Sequence, residues 1–241
     1  MQHHLSTILE SIYFNSPIIK NELINRSKPS SQGNSARNKL IAAMLLHSDK
    51  EDLGFEKDKF PPEKSIYRAI FKQTGIHVQQ NDIWRFLVPA ENDYKLANVW
   101  RGIDEFIEKE TGHCSLPQLY AYLNAPPFGI QYGVLPLLFT AYYLTNQRTC
   151  ALYEDGIFCP QVTQENWEVL LKRPELFSVE KINMQGIQGE PFNLYLEKLV
   201  GKTSDDNHLL DVIKPLAKFI QKLPEYTLNT NLNYCVRSHS Q

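Results

Sequence analysis

Three successive segments decide the fold: Leu116-Pro-Gln-Leu-Tyr-Ala-Tyr-Leu123, Val134-Leu-Pro-Leu-Leu-Phe-Thr-Ala-Tyr-Tyr-Leu-Thr145 and Ala151-Leu-Tyr-Glu-Asp-Gly-Ile-Phe-Cys159. The first reads as a short helix with proline at its second position, where a missing N–H is no loss. The turn Pro126-Pro127-Phe128-Gly129 separates it from the second, which is helical and apolar on most sides and therefore belongs in a core. In the third, Asp155-Gly156 is the favoured pair for a two-residue hairpin turn, because both central residues of that turn need positive φ. Helix, turn, helix and tight hairpin is the order of a winged-helix unit, here spanning Leu116 to Gln161. A DNA-reading winged helix lays its second helix in the major groove with polar and basic side chains exposed. Val134–Thr145 holds no Lys or Arg, so core or interface packing is expected of it instead.

Working outward, Ser6–Phe14 reads as an amphipathic helix with Ile8, Leu9, Ile12 and Tyr13 on one side. Ile18–Arg26 reads as a second helix entered through Ser16-Pro17. After the polar loop Ser27–Asn34, a third helix is capped by Asn34 or Ser35 and runs to about His47, with Leu40, Ile41, Met44 and Leu45 at helical spacing. Ser65–Gln73 is helical until Gly75, and Ile76–Val88 alternates weakly about Gln80-Asn81-Asp82, as a hairpin would. Leu96–Lys109 is a long amphipathic helix ended by Gly112. Thr163 caps a helix to about Lys172, Pro174 breaks it, and Phe177–Ile182 alternates like an edge strand. Helices at Phe192–Val200 and Leu209–Leu223 and a polar ending follow. The expected fold class is mainly α with small β-hairpins (α+β), with winged-helix-like units joined by a long helix and a looser second unit over Ile18–Val88. The expected domains are residues 1–112, 113–183 and 184–241.

The net charge of −2 over 241 residues excludes a wholly basic nucleic-acid binder, yet it averages two opposed segments. Between Lys20 and Lys39 the chain carries Lys20, Arg26, Lys28, Arg37 and Lys39 against the single acid Glu22, a net of +4. Asp49 to Glu63 carries six acids against three lysines, a net of −3. Basic residues among Ser, Gln and Asn at the opening of a helix suit phosphate contact. They equally suit a solvated face paired with the acidic connector. Tyr142, Tyr143, Tyr153 and Phe158 are candidates for a partner interface, where aromatics are enriched, with ordinary core as the alternative.

No phosphate-binding G-x-x-x-x-G-K-[ST] loop, no G-x-S-x-G and no H-E-x-x-H occurs, so no catalytic residue, metal ligand or cofactor site is nominated. Cys114, Cys150, Cys159 and Cys235 form no C-x-x-C pair and fit a reducing compartment. The longest apolar run, Val134–Leu144, is too short to span a bilayer. Met1-Gln-His-His-Leu5 lacks the cationic-then-apolar pattern of a secretory leader. A non-enzymatic cytoplasmic protein with no membrane partner is expected.

Four stretches together resemble a known group. They are Ser16-Pro-Ile-Ile-Lys-Asn-Glu-Leu-Ile-Asn-Arg26, then Ala125-Pro-Pro-Phe-Gly-Ile-Gln-Tyr-Gly-Val-Leu-Pro-Leu-Leu138, then Ala151–Pro160 with Leu171-Lys-Arg-Pro-Glu-Leu-Phe-Ser-Val179, and Leu223-Pro-Glu-Tyr-Thr227. The set is similar to the region downstream of the ATPase module in large bacterial P-loop proteins of anti-phage defence systems, of the BREX-like and phosphorothioation-restriction-like kind. The resemblance covers most of the chain and brings no catalytic residue with it. It implies an ATPase-associated accessory role for helix-turn-helix, winged-helix-like units, without ATP hydrolysis, in a chain that is a fragment, a split gene product or a stand-alone remnant. The module would be DNA-binding or an interaction module of a defence-type assembly; the alternative is a pure protein–protein module. The implied partners are an ATPase-type subunit or the missing domain, with DNA left open.

Overall fold

Asp155 and Gly156 both adopt positive φ, 50° and 77°, and the hairpin they close is the landmark from which the rest of the chain is traced. A computed structural model describes residues 2–92, 94–110, 112–182 and 209–222. Residues 1–183 form one compact unit and residues 184–241 a second. The first unit begins with α1 (Gln2–Ile12), α2 (Ser31–His47), a 3-10 turn (Glu51–Gly54) and α3 (Pro62–Tyr67), which a π turn continues to Lys72. Then come β1 (His77–Gln80), β2 (Ile83–Phe86), α4 (Leu96–Lys109), β3 (Cys114–Ser115), α5 (Leu116–Asn124) and α6 (Leu135–Thr145). It ends with β4 (Cys150–Glu154), β5 (Ile157–Phe158), α7 (Gln164–Lys172), a 3-10 turn (Pro174–Leu176) and β6 (Phe177–Lys181). The second unit contributes α8 (Leu209–Gln221). The expected helix at Phe192–Val200 and the polar ending lie outside the described residues.

The fold is mixed α+β, with two small antiparallel sheets among the described residues. Local chemistry explains most element boundaries. Asn81 and Asp82 take φ of 52° and 61° and close β1 onto β2, with Gln80 opposite Ile83. Thr163 accepts from the Asn166 N–H, and Asn166 accepts in return from the Thr163 N–H, a reciprocal cap that starts α7. Gly75, at φ 73°, ends the π turn in the left-handed conformation glycine adopts freely.

Three expectations are corrected. Ile18–Arg26 is not a helix. Its polar groups find other partners: Asn21 Oδ1 accepts from the Leu23 N–H, Arg26 Nε donates to the Glu22 carbonyl, and the Ile18 N–H donates to the Tyr94 carbonyl. The Gly133 N–H donates to the Arg26 carbonyl at 3.0 Å, and a Cβ at Gly133 would lie 2.2 Å from the Ile24 carbonyl oxygen. The segment is thus a strap laid tightly on the turn between α5 and α6. The looser second unit keeps α2, α3 and the β1–β2 hairpin but lacks that first helix. Secondly, α2 begins four to five residues early, because Ser30 Oγ caps it by accepting from the Gly33 N–H at 3.1 Å, ahead of Asn34 and Ser35. Thirdly, β6 is an interior strand: the order is β3-β6-β4-β5, with Val179 opposite both Cys114 and Leu152.

One continuous core runs from Ile24 to Val179 and includes residues on both sides of position 112. α6 lies inside it, with every residue from Leu135 to Tyr143 buried, beneath α2. On α4, Gly102 leaves room for the Phe128 ring, which a Cβ would strike at 2.3 Å. Among the described residues no helix is long and apolar enough to cross a membrane.

Candidate functional site

The five basic residues do not gather on one helix face. Lys20 and Arg26 sit on the strap and line one shallow pocket together with Glu22. Lys28 is exposed just beyond the strap. Arg37 is half-buried on α2 with its guanidinium hydrogen-bonded to Asn38, and burial lowers its pKa from the ordinary arginine value. Lys39 lies elsewhere, at the border of α2 with α7.

The four aromatics divide two and two. Tyr142 and Tyr143 are core residues, 0% and 5% exposed, so they are corrected from a partner surface to packing. The Tyr142 hydroxyl donates to Asp104 at 2.6 Å, and Lys181 donates to Asp104 and Glu108, each at 2.8 Å. Burial works against the Lys181 charge, but these two bonds outweigh it and raise its pKa. The network ties α6 and β6 to α4. Tyr153 and Phe158 remain half-exposed on the sheet, 5.7 Å apart between ring centroids. His113, which the sequence did not single out, stacks on Tyr153 at 3.8 Å, and the Tyr153 hydroxyl donates to Glu180.

One polar cluster has the residue types of acid–base catalysis. His77 bonds the Ser48 carbonyl through Nε2 at 2.9 Å and Tyr67 through Nδ1 at 2.8 Å, while Lys72 pairs with Asp52. Donation to a carbonyl requires Nε2 to carry the proton, so Nδ1 accepts from Tyr67. Burial holds His77 below its usual pKa, and burial followed by Asp52 raises Tyr67 well above the usual tyrosine value. Tyr67 and His77 are 0% and 1% exposed, so no substrate reaches them. The cluster braces the turn in which Asp52, Leu53 and Gly54 all hold positive φ. Cys114 and Cys150 are equally closed, with burial pushing their thiols up to about 12 and about 11. Neither supplies a thiolate at neutral pH. No group of three or more His, Cys, Asp or Glu suited to a metal occurs among the described residues.

Two further concave features stand out among the described residues: an open hollow of about 670 Å³ lined by Leu9, Tyr13, Asn124 and Tyr132, and a trough of about 310 Å³ between α2 and α7, at the lower end of ligand-sized cavities. Ile41, Ala42 and Leu45 of α2 and Trp167 and Leu171 of α7 form its floor. Exposed Lys39, Glu168 and Lys172 border it. Trp167 is buried, and its Nε1 has no acceptor among the described residues. The helical spacing of Trp167, Glu168 and Leu171 was visible in the sequence, but the partner helix that turns it into a trough was not. Compared with known protein families, with curated proteins and with solved structures, the chain matches none.

Proposed function

We propose that this chain is a non-catalytic, winged-helix-like protein-interaction module of the cytoplasm, docking on an ATPase-type subunit of a defence-type assembly through the α2–α7 trough. The observation that carries this reading is the burial of every α6 residue from Leu135 to Tyr143, with α2 packed against the helix. The helix that would enter a major groove has no free face. In support of the winged-helix reading, α5, the turn through Pro126–Gly129, α6 and the β4–β5 hairpin follow one another in the expected order, with β3 and β6 completing the sheet.

The neighbouring reading frames test this: absence of a P-loop ATPase there overturns the ATPase-docking reading, and one that is present is co-expressed with the chain. A single complex in size-exclusion chromatography with light scattering is the expected result; separate elution of the two proteins overturns the reading. A second reading rests on Lys20 and Arg26 sharing one pocket, which suits phosphate. It requires duplex or single-strand binding whose log K falls linearly with log salt, roughly one unit of slope per phosphate contact. A filter-binding titration without such a slope removes it.

A further inference from the structure

We propose that the α2–α7 trough takes an amphipathic helix whose apolar side is flanked by acidic residues. The inference rests on the interaction-module reading and names the chemistry of the partner.

Both walls share one period. Asn38, Ile41, Ala42 and Leu45 on α2, and Gln164, Trp167, Glu168 and Leu171 on α7, each fall at i, i+3, i+4 and i+7. Each wall is therefore about 10 Å long at 1.5 Å per residue. A docking helix presents anchors at the same spacing, and so over the same length. The apolar strip also runs past the cavity. Leu46, four residues after Ala42 and so on the same stripe of α2, is 60% exposed. A small ligand filling the trough would leave Leu46 in water; a helix lying along it covers both.

Charge selects the flanks. Lys39 and Lys172 border the trough, and neither ammonium meets a carboxylate among the described residues. Glu168 accepts from Gln164 Nε2 at 3.1 Å and keeps its charge, so the border carries two cations against one anion. Two unpaired cations call for acceptors, which Asp and Glu beside the apolar anchors supply.

The probe is a synthetic helix of about 14 residues with Leu at i, i+4 and i+7 and Glu on both flanks, roughly 21 Å long and so able to cover both the walls and Leu46. It is compared by calorimetry on the full chain with a counterpart carrying Lys on the flanks. The acidic peptide is expected to bind roughly tenfold or more tightly than its counterpart, a difference of about 1.4 kcal/mol. Ala42→Arg, which fills the trough, abolishes binding. Leu46→Glu, at an exposed position that cannot disturb folding, weakens it. Lys39→Glu with Lys172→Glu reverses the flank preference. Absence of acidic-peptide binding, or binding indifferent to these variants, overturns the proposal, as does binding of decanoate in the trough without the peptide. If Ala42→Arg still elutes with the ATPase subunit, the trough is not the docking face while the interaction reading stands. If the unaltered chain does not co-elute, the broader reading fails first.

Discussion

His77 shows how one buried residue makes the fold sensitive to acid. An unfolded histidine titrates near 6.5, and burial lowers the folded value below that. Between those two values the unfolded chain holds a proton that the folded chain does not. Stability is therefore full above the unfolded pKa and falls as pH drops through it, by at most about 1.4 kcal/mol per pH unit from this group. Urea unfolding followed from about pH 7.5 to about pH 5.5, the window set by that titration, is expected to show the midpoint moving down. His77→Gln, which can still donate to the Ser48 carbonyl, flattens that slope while lowering stability at pH 7.5. An unchanged slope in the variant would assign the effect to other groups. Lys64 illustrates a different solution to a buried charge. Its ammonium donates to the carbonyls of Glu56, Lys57 and Lys59, and so gathers the acidic connector into a closed loop.

Single elements of this chain are set by a few residues, and the β4–β5 hairpin makes that measurable. Gly156 sits at φ 77° with nothing within 4 Å of where a Cβ would stand. Gly156→Ala therefore isolates the backbone cost of a left-handed alanine, about 1–2 kcal/mol, read as a lower urea midpoint with an unchanged m-value. No measurable loss would mean that the turn relaxes to another type. The sequence disclosed this hairpin, the Thr163 cap and the full extent of α4, because each depends on signals within a turn or two of chain. It misread Ile18–Arg26 for the converse reason. Ile19, Leu23 and Ile24 have helical spacing, but Asn21 and Arg26 offer side-chain partners to the backbone, and Tyr94 and Gly133 complete the hydrogen bonding from far along the chain.

For the molecule as a whole, the continuous core predicts autonomy of the first unit. The cluster of buried residues ends at Val179, and residues 1–183 are compact in themselves. A chain truncated after Asn183 is expected to unfold in a single cooperative urea transition, with the near-ultraviolet signal of packed Trp100 and Trp167 retained. A broad, non-cooperative transition would show that the second unit is needed for the core. Cutting instead at residue 112 is expected to unfold both pieces, since α2 covers α6 across that point.

The residues alone settled what short-range chemistry can settle: most of the described helices and hairpins, with the strap Ile18–Arg26 the exception, that α6 is too apolar for solvent, and that no catalytic motif is present. Whether an aromatic is core or surface, where β6 lies in its sheet, and which two helices leave a trough between them depended on residues distant in sequence. Tyr142 and Tyr153 were both candidates for a partner surface, yet one is sealed against Asp104 and the other stacks half-exposed on His113. Capping and turn formation act over a few residues, whereas burial is decided only when separated segments pack and the great majority of buried polar groups find partners.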